Sequence, residues 1–268
     1  MIASPIGNLR DISQRALDIL SSVSLLGAED TRVARRLLAA HGIYGKRLLS
    51  LRAHNENHAA EALLAGAFEL GTVAYLSDAG TPSISDPGAR LVRAARAAGV
   101  RVSPVPGASA LTALLSVAGV PESAVHFFGF PPRAAVRRRD FFEKLLLLSG
   151  SAVLFEAPTR MSDTVSQLLA VLDSNTRVVV GRELTKTHEQ VVDISLENLE
   201  QALAEGSVPA RGEFTLLVEL PGRNPLAAVG DALFTALAAE LPRRRAASLA
   251  AQFCGGDAND YYRRHIKK

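Results

Sequence analysis

Residues 72–99 read T-V-A-Y-L-S-D-A-G-T-P-S-I-S-D-P-G-A-R-L-V-R-A-A-R-A-A-G. The run 72–76 predicts a strand, and the pattern over 89–98 predicts a helix. Asp86 stands where an N-cap belongs, Pro87 at the first helical position and Gly99 at the stop. Between strand and helix lies S-D-A-G-T-P-S-I-S-D-P-G (77–88), a loop of small and turn-forming residues. Strand, loop and helix in that order put the loop at the carboxyl edge of an α/β sheet, where ligands bind. Gly80 and Gly88 permit close approach to the backbone, and Asp78 accepts hydrogen bonds from hydroxyl or amino groups. Taken alone, the same loop also suits an ordinary βα connection.

Working outward, the same order recurs. M-I-A-S-P-I-G (1–7) reads as the end of a strand and a P-x-G turn. Helices are predicted over 13–23 and 31–40, the second capped by Asp30 and stopped at Gly42, and a third over 56–70. A strand over 100–105 leads through Pro106-Gly107 into an Ala/Leu-rich helix ending near Gly119. The second half predicts strands over 126–130, 152–156, 177–181, 189–194 and 214–220, with helices over 140–148, 161–172 and 196–204. This alternation predicts an α/β protein with a mostly parallel sheet. Pro121 marks one boundary; Pro221-Gly222 and Asn224-Pro225 mark another. The expected organisation is an α/β domain over 1–121, a second over 122–222 and a basic helical tail over 223–268. That tail holds a helix–turn–helix-like pair, 243–253 and 259–266, joined by Gly255-Gly256-Asp257.

The chain has 268 residues, 48% hydrophobic and 21% charged, which suits well-buried cores and argues against disorder. No apolar run approaches the roughly 18 residues needed to cross a bilayer. No signal peptide is visible at Met1, and the single Cys254 forms no internal disulfide, so a reducing cytoplasm is expected. The net charge of +3 is unevenly spread. Residues 241–268 carry seven cations against Asp257 and Asp260, a net +5 that leaves −2 for the rest. A basic tail on a mildly acidic body points to a polyanionic partner.

Several signatures are absent: G-x-G-x-x-G after a strand, G-x-x-x-x-G-K-[ST], and a Ser nucleophile elbow. His54 and His58 flank Asn55-Glu56-Asn57, not the H-E-x-x-H of zinc proteases, so no metal is expected. What remains is three similar loops at equivalent positions: Ser4–Asn8, Asp78–Gly88 and Pro106–Ala110. Their small residues offer main-chain donors and acceptors to one pocket.

The stretches S-P-I-G-N-L-R-D-I-S (4–13), G-A-E-D-T-R (27–32), S-D-A-G-T-P-S-I-S-D-P-G (77–88) and P-V-P-G-A-S-A (104–110) carry a resemblance. So do G-F-P-P-R (129–133), F-E-A-P-T-R (155–160), G-R-E-L-T-K-T-H-E (181–189) and G-E-F-T-L-L-V-E (212–219). Together they resemble the tetrapyrrole-methylase superfamily of S-adenosylmethionine enzymes. Within it they resemble the branch acting on a cytidine 2′-hydroxyl in the decoding region of small-subunit ribosomal RNA. The resemblance implies two α/β domains with a cofactor cleft between them, and a homodimer. It implies that Pro5, Ile6, Gly7, Asp78, Gly80, Thr81, Pro82, Ile84, Ser85, Ser109 and Ala110 line one wall of the cofactor site. Leu154, Phe155, Glu183, Leu184, Phe214 and Thr215 would line the other. Members of the family usually begin with a full strand before P-I-G-N, whereas Met1-Ile2-Ala3 alone precede Ser4 here. A shortened strand implies weaker cofactor binding than in a form extended upstream.

Methyl transfer from a sulfonium is an in-line displacement, so alignment dominates catalysis. A ribose hydroxyl needs its proton drawn away, which calls for a carboxylate or neutral Lys nearby: Glu29, Asp30, Glu183 or Lys186. RNA phosphates would be met by Arg32, Arg133, Arg137, Arg138, Arg139, Arg160, Arg243, Arg244 and Arg245, with 131–139 a mobile basic loop. Two alternatives remain open: a corrin or porphyrin-precursor methylase, and a non-catalytic RNA-binding module.

Overall fold

The computed structural model describes residues 1–52, 55–120, 124–221 and 227–266. The expectations for His54, Pro121, Gly222, Asn224 and Pro225 fall outside that set. The chain forms two compact units. One comprises Met1–Gly119 with Val180–Val192 and Gly212–Thr215; the other comprises Val120–Val179, Asp193–Arg211 and Leu216–Lys268.

In the first unit, α1 (Gln14–Ser22), β1 (Leu25–Ala28), α2 (Thr31–Ala40), β2 (Arg47–Ser50), α3 (Glu56–Leu70), β3 (Ala74–Leu76), α4 (Ala89–Ala97) and α5 (Ala110–Val117) follow in order. The strands pair in parallel in the order β2-β1-β3. Alternate residues of β1 feed opposite faces, as a period of two requires. Leu26 and Ala28 join Ala16, Leu20, Ala34, Leu37 and Leu38 of α1 and α2 in one core. Leu25 and Tyr75 join Ala59, Ala60, Leu63 and Leu91 of α3 and α4 in another. The sheet is therefore covered by helices on both sides. That is why β1 (L-L-G-A) is buried throughout and shows no alternation of apolar with polar residues.

The N-terminus extends this sheet. Ile2 bridges Leu76 on one side and Val105 on the other, both in parallel. Its N–H donates to Tyr75 O (2.8 Å), while Val105 N–H donates to Met1 O (2.8 Å) and Ala3 N–H to Val105 O (3.1 Å). The strand expected over 100–105 is reduced to the bridge at Val105.

Two local expectations are corrected. Asp86 does not cap α4. The N-cap is Gly88, at φ +128°, and the N–H groups of Gly88 (3.0 Å) and Arg90 (2.8 Å) donate to Glu56 Oε1. A buried carboxylate at the start of α3 thus satisfies two open donors of α4, and the turn at Pro87 places Asp86 elsewhere. The basic loop expected over 131–139 is also shortened, since α6 (Ala135–Leu145) begins well before residue 140.

From residue 125 onward, β4 (Val125–Gly129), α6, β5 (Ser149–Glu156), α7 (Met161–Leu169), β6 (Arg177–Arg182), β7 (Gln190–Ser195), α8 (Leu196–Glu205) and β8 (Phe214–Pro221) precede three helices, with residues 180–182, 190–192 and 214–215 of β6, β7 and β8 counted in the first unit and the rest in the second. The sheet order is β4-β5-β8-β6-β7, with β4 and β5 parallel. The inner strands β5, β8 and β6 are the nearly continuous apolar runs, as burial on both faces demands. Helices α9 (Ala227–Leu237), α10 (Arg243–Cys254) and α11 (Ala258–Ile266) share a core of Phe234, Ala246, Ala247, Ala250 and Tyr261. Among the described residues no helix is long and apolar enough to cross a membrane.

The Glu56 cap is testable. Glu56→Ala strips two hydrogen bonds, from the buried Gly88 N–H and the part-buried Arg90 N–H, and is expected to lower stability by about 2 kcal/mol. Glu56→Gln keeps one acceptor and costs less. Denaturant unfolding of both variants measures this, and an unchanged midpoint for the alanine variant rules the cap out.

Candidate active site

The loops leaving Ser4, β1, β3 and Val105 all open at the carboxyl edge of the first unit's sheet. They are stitched together by main chain. Ser4 and Gly80 exchange two N–H···O bonds (2.9 and 3.0 Å), and Ser4 Oγ donates to Ser77 O (2.8 Å). Thr81 Oγ1 donates to Ala108 O (3.3 Å), tying the 77–88 loop to the 106–110 loop. Gly80 sits at φ +71°, where a Cβ would stand 3.3 Å from Ile6 Cγ2. Ser83 and Ser85 also adopt positive φ (68° and 70°), a costly conformation for residues with a Cβ. Ser83 Oγ is buried with no hydrogen-bond partner among the described residues.

A second strained turn meets this edge. Glu183 (φ 50°) and Thr185 (φ 67°) hold the R-E-L-T-K segment against Gly7. A Cβ at Gly7 would collide with Lys186 Cγ and stand 2.8 Å from Thr185 Oγ1, which accepts the Asn8 N–H (3.2 Å). Lys186 Nζ donates to Glu183 Oε1 (2.7 Å) and Glu213 Oε2 (3.0 Å). The expected lining residues Pro5, Ile6, Gly7, Asp78 to Ser85, Ser109, Ala110, Glu183, Leu184, Phe214 and Thr215 all belong to this first unit. Leu154 and Phe155 belong to the second, where Leu154 is wholly buried and the Phe155 ring packs on Phe127 (5.0 Å) and Phe130 (5.7 Å). A cavity of about 560 Å³ opens at the amino edge instead, lined by apolar residues including Leu63, Leu91 and Val102, and contributes none of these groups.

The carboxylates differ in how they are held. Asp78 N–H donates to Glu29 Oε2 (3.4 Å), and Asp78 Oδ1 accepts the N–H of Asp30 (2.8 Å), so the loops after β1 and β3 interlock. Burial pushes the Glu29 carboxyl above its usual range; the Asp78 N–H opposes this and the Asp78 charge adds to it. Asp30 is the N-cap of α2 and is bonded by both Arg32 and Arg52. The Arg32 hydrogen bonds, side chain then backbone, hold it well below the usual carboxylate range, so it is corrected from base to acceptor. The hydrogen bond from Lys186 likewise lowers Glu183. Burial pulls the Lys186 ammonium down, but its bonds to Glu183 and Glu213 outweigh this and hold it above its usual value. Lys186 therefore stays protonated and offers no lone pair to a hydroxyl.

Asp86, read from sequence as a cap, sits within reach of the same carboxylates. Burial first, then the charges of Glu29, Asp78 and Glu213, push it up to about 7. No spacing signal marked it, because burial is invisible in sequence and two of those charges, Glu29 and Glu213, come from other loops.

The arginines expected to meet RNA also divide. Arg32, Arg133, Arg137, Arg139, Arg243, Arg244 and Arg245 are exposed, and Arg244 lies over the Tyr262 ring (6.0 Å). Arg138 is corrected. Only 3% exposed, it bonds to Glu156 (3.1 Å), Thr164 and Pro132 O, because a buried Glu156 needs a cation. Arg160 shares Glu156 (2.6 Å) and donates to Pro131 O. These two arginines pin the P-P-R turn and spend their charge inside the fold.

A pH test follows from Asp86. Its folded value lies above its unfolded one, so it favours folding fully below the unfolded range. That contribution fades as pH rises through about 7. Between pH 4 and 8, Asp86→Asn is expected to gain on the wild type by roughly 1–2 kcal/mol in denaturant unfolding, allowing for solvent screening. A difference that does not vary with pH contradicts the assignment.

The family model for Tetrapyrrole (Corrin/Porphyrin) Methylases matches residues 1–200. The ribosomal RNA small subunit methyltransferase I of Xylella fastidiosa (strain Temecula1) is 42% identical over 264 residues, 98% of this chain and 96% of that protein. Its counterpart in Neisseria meningitidis (strain Z2491) is 41% identical over 259 residues, 95% of this chain and 88% of that one. Among solved structures, uroporphyrin-III C-methyltransferase from Thermus thermophilus in complex with S-adenosylhomocysteine has a TM-score of 0.55 at 19% identity. It covers 81% of this chain and 94% of that one. With three stitched loops at one sheet edge and relatives matched over nearly their whole length, the chain belongs to the tetrapyrrole (corrin/porphyrin) methylase family, in the branch formed with the ribosomal RNA small subunit methyltransferase I proteins.

Proposed function

We propose that the chain methylates the 2′-hydroxyl of a cytidine in the decoding region of small-subunit ribosomal RNA, using S-adenosylmethionine. The names of its relatives support RNA of the small subunit as the substrate. The observation that carries the reading is the crowd of carboxylates at one edge: Glu29, Asp78, Asp86 and Glu213, with Glu29 raised by burial and the Asp78 charge, and Asp86 by burial and the charges of Glu29, Asp78 and Glu213. Such an edge suits a ligand with positive charge, and S-adenosylmethionine carries a sulfonium and an ammonium. The partnerless Ser83 Oγ and the close approach allowed at Gly80 fit the same ligand.

Bound there, the cofactor supplies an electrophilic methyl group. The protein's part is to bind, orient and move one proton. The main chain of Pro5 to Gly7 and of Asp78 to Ser85 would hold the nucleoside portion, with Ser109 and Ala110 beside it. Glu29 is the base: it carries no ion pair among the described residues and is shifted toward the range where it can take the ribose proton. Lys186, held charged, serves to fix the strained 183–185 turn. The exposed Arg133, Arg137, Arg139 and Arg243 to Arg245 meet RNA phosphates. The buried Cys254 and the ribosomal substrate fit a cytoplasmic protein.

A homodimer belongs to the same reading. The edge strand β4 and the residues after it expose Val125, Phe128, Phe130 (55%) and Val136, apolar surface that a second copy would cover. Light scattering is expected to give a dimer, and Phe130→Asp to shift it toward monomer.

The decisive assay incubates the protein with S-adenosylmethionine and small ribosomal subunits lacking the modification, then digests the RNA and identifies the nucleoside. A 2′-O-methylcytidine is expected; a methylated base or no product overturns the reading. Glu29→Gln is expected to lower turnover at saturating cofactor by about 10²- to 10⁴-fold.

A further inference from the structure

We propose that Asp30 is a positioning residue that clamps Arg32 and Arg52 side by side, and that this pair grips the RNA phosphate next to the ribose being methylated. The proposal rests on the RNA-methylating reading above. One carboxylate oxygen, Asp30 Oδ2, receives Nη2 of Arg32 (2.6 Å) and Nη2 of Arg52 (2.9 Å). Arg32 also donates through Nε to Asp30 Oδ1 (3.0 Å), and Arg52 through Nε to Glu29 O (3.2 Å). Each guanidinium is therefore fixed at two of its nitrogens, while its Nη1 has no protein partner among the described residues.

The arrangement is unlike an ordinary surface ion pair. Two cations share one anion, which leaves the group net positive and the two guanidinia repelling each other. Asp30 is only 13% exposed, whereas Arg32 is 77% and Arg52 44% exposed. The acid sits beneath and the cations face outward. Planar guanidinium donors match phosphate oxygens in geometry, and an anion bridging both would relieve their repulsion. Arg36, four residues beyond Arg32 and also exposed, continues the cationic face along α2.

Position supplies the rest. Asp30 directly follows Glu29, and its N–H is held by Asp78 of the 77–88 loop (2.8 Å). A phosphate held by this pair would lie beside the base and the cofactor loops, where the backbone flanking the acceptor ribose must pass. This also explains why Asp30 is unsuited to be a base: two arginines already consume its lone pairs.

The test uses the full chain and a single-stranded RNA carrying the small-subunit decoding sequence. Affinity is measured across a salt series, alongside turnover on small ribosomal subunits. Arg52→Gln is expected to weaken RNA binding about 5- to 20-fold and to reduce the log–log salt slope by about 0.7, one phosphate on a single strand. Asp30→Asn keeps a capping side chain, so α2 persists. It is expected to raise KM for the subunit about 3- to 10-fold with kcat within twofold. In the Asp30→Asn background, Arg52→Gln is expected to cost less than it does alone. Cofactor affinity stays unchanged in every variant. If Asp30→Asn instead lowers kcat a hundredfold at saturating RNA with KM unchanged, Asp30 is a base and the clamp is overturned. If the wild type binds RNA steeply with salt but Arg52→Gln leaves affinity and slope intact, the clamp alone is overturned. If the wild type itself fails to bind RNA, the substrate reading falls with it.

Discussion

The site depends on a very short piece of main chain lodged inside a sheet. Residues 1–4 are bonded on both sides, to Tyr75 and Gly80 on one flank and to Val105 on the other. A buried backbone group without a partner is costly, so these few residues have one register open to them. That register brings Ser4 opposite Gly80 and sets the 4–8, 77–88 and 106–110 loops at one edge. The Thr81 hydroxyl and the strained 183–185 turn then close on a frame already in place. A side chain at Gly7 or Gly80 would intrude where these loops touch, which is what glycine is needed for there.

On that frame the acids are used in two ways. Asp30 and Glu183 are paired with cations, lie below the ordinary carboxylate range and act as acceptors that hold other groups in place. Glu29 and Asp86 make no ion pair among the described residues and lie above it, poised for protons or for a positively charged ligand. The second unit shows the paired mode at its limit. Glu156 is buried and ringed by Arg138, Arg160 and Thr164, so its charge organises the turn at Pro131 and Pro132 and reaches nothing outside.

Much of this fold was legible before any coordinates. Helix α2 was bounded at both ends by its Asp30 cap and Gly42, and α3 spans the 56–70 expected for it. The inner strands of the five-stranded sheet announced themselves as apolar runs of useful length. Strands β1 and β2 did not, for L-L-G-A and R-L-L-S are four residues each and too short for any periodicity. Missing β2 also hid Arg52, which follows it. The start of α6 was obscured by its R-R-R run, which reads as solvated charge unless one knows that Glu156 waits for the middle arginine.

The sequence by itself determined most helices, the longer strands and the glycine- and proline-bearing loops, and with them the family, because caps, turns and apolar runs act over a few residues. Tertiary structure alone decided what each charged group does. Asp78 reaches Asp30 across 48 residues and Glu56 reaches Gly88 across 32. A carboxylate's proton affinity depends on whatever burial and charges surround it in space, and those partners carry no mark in the local sequence.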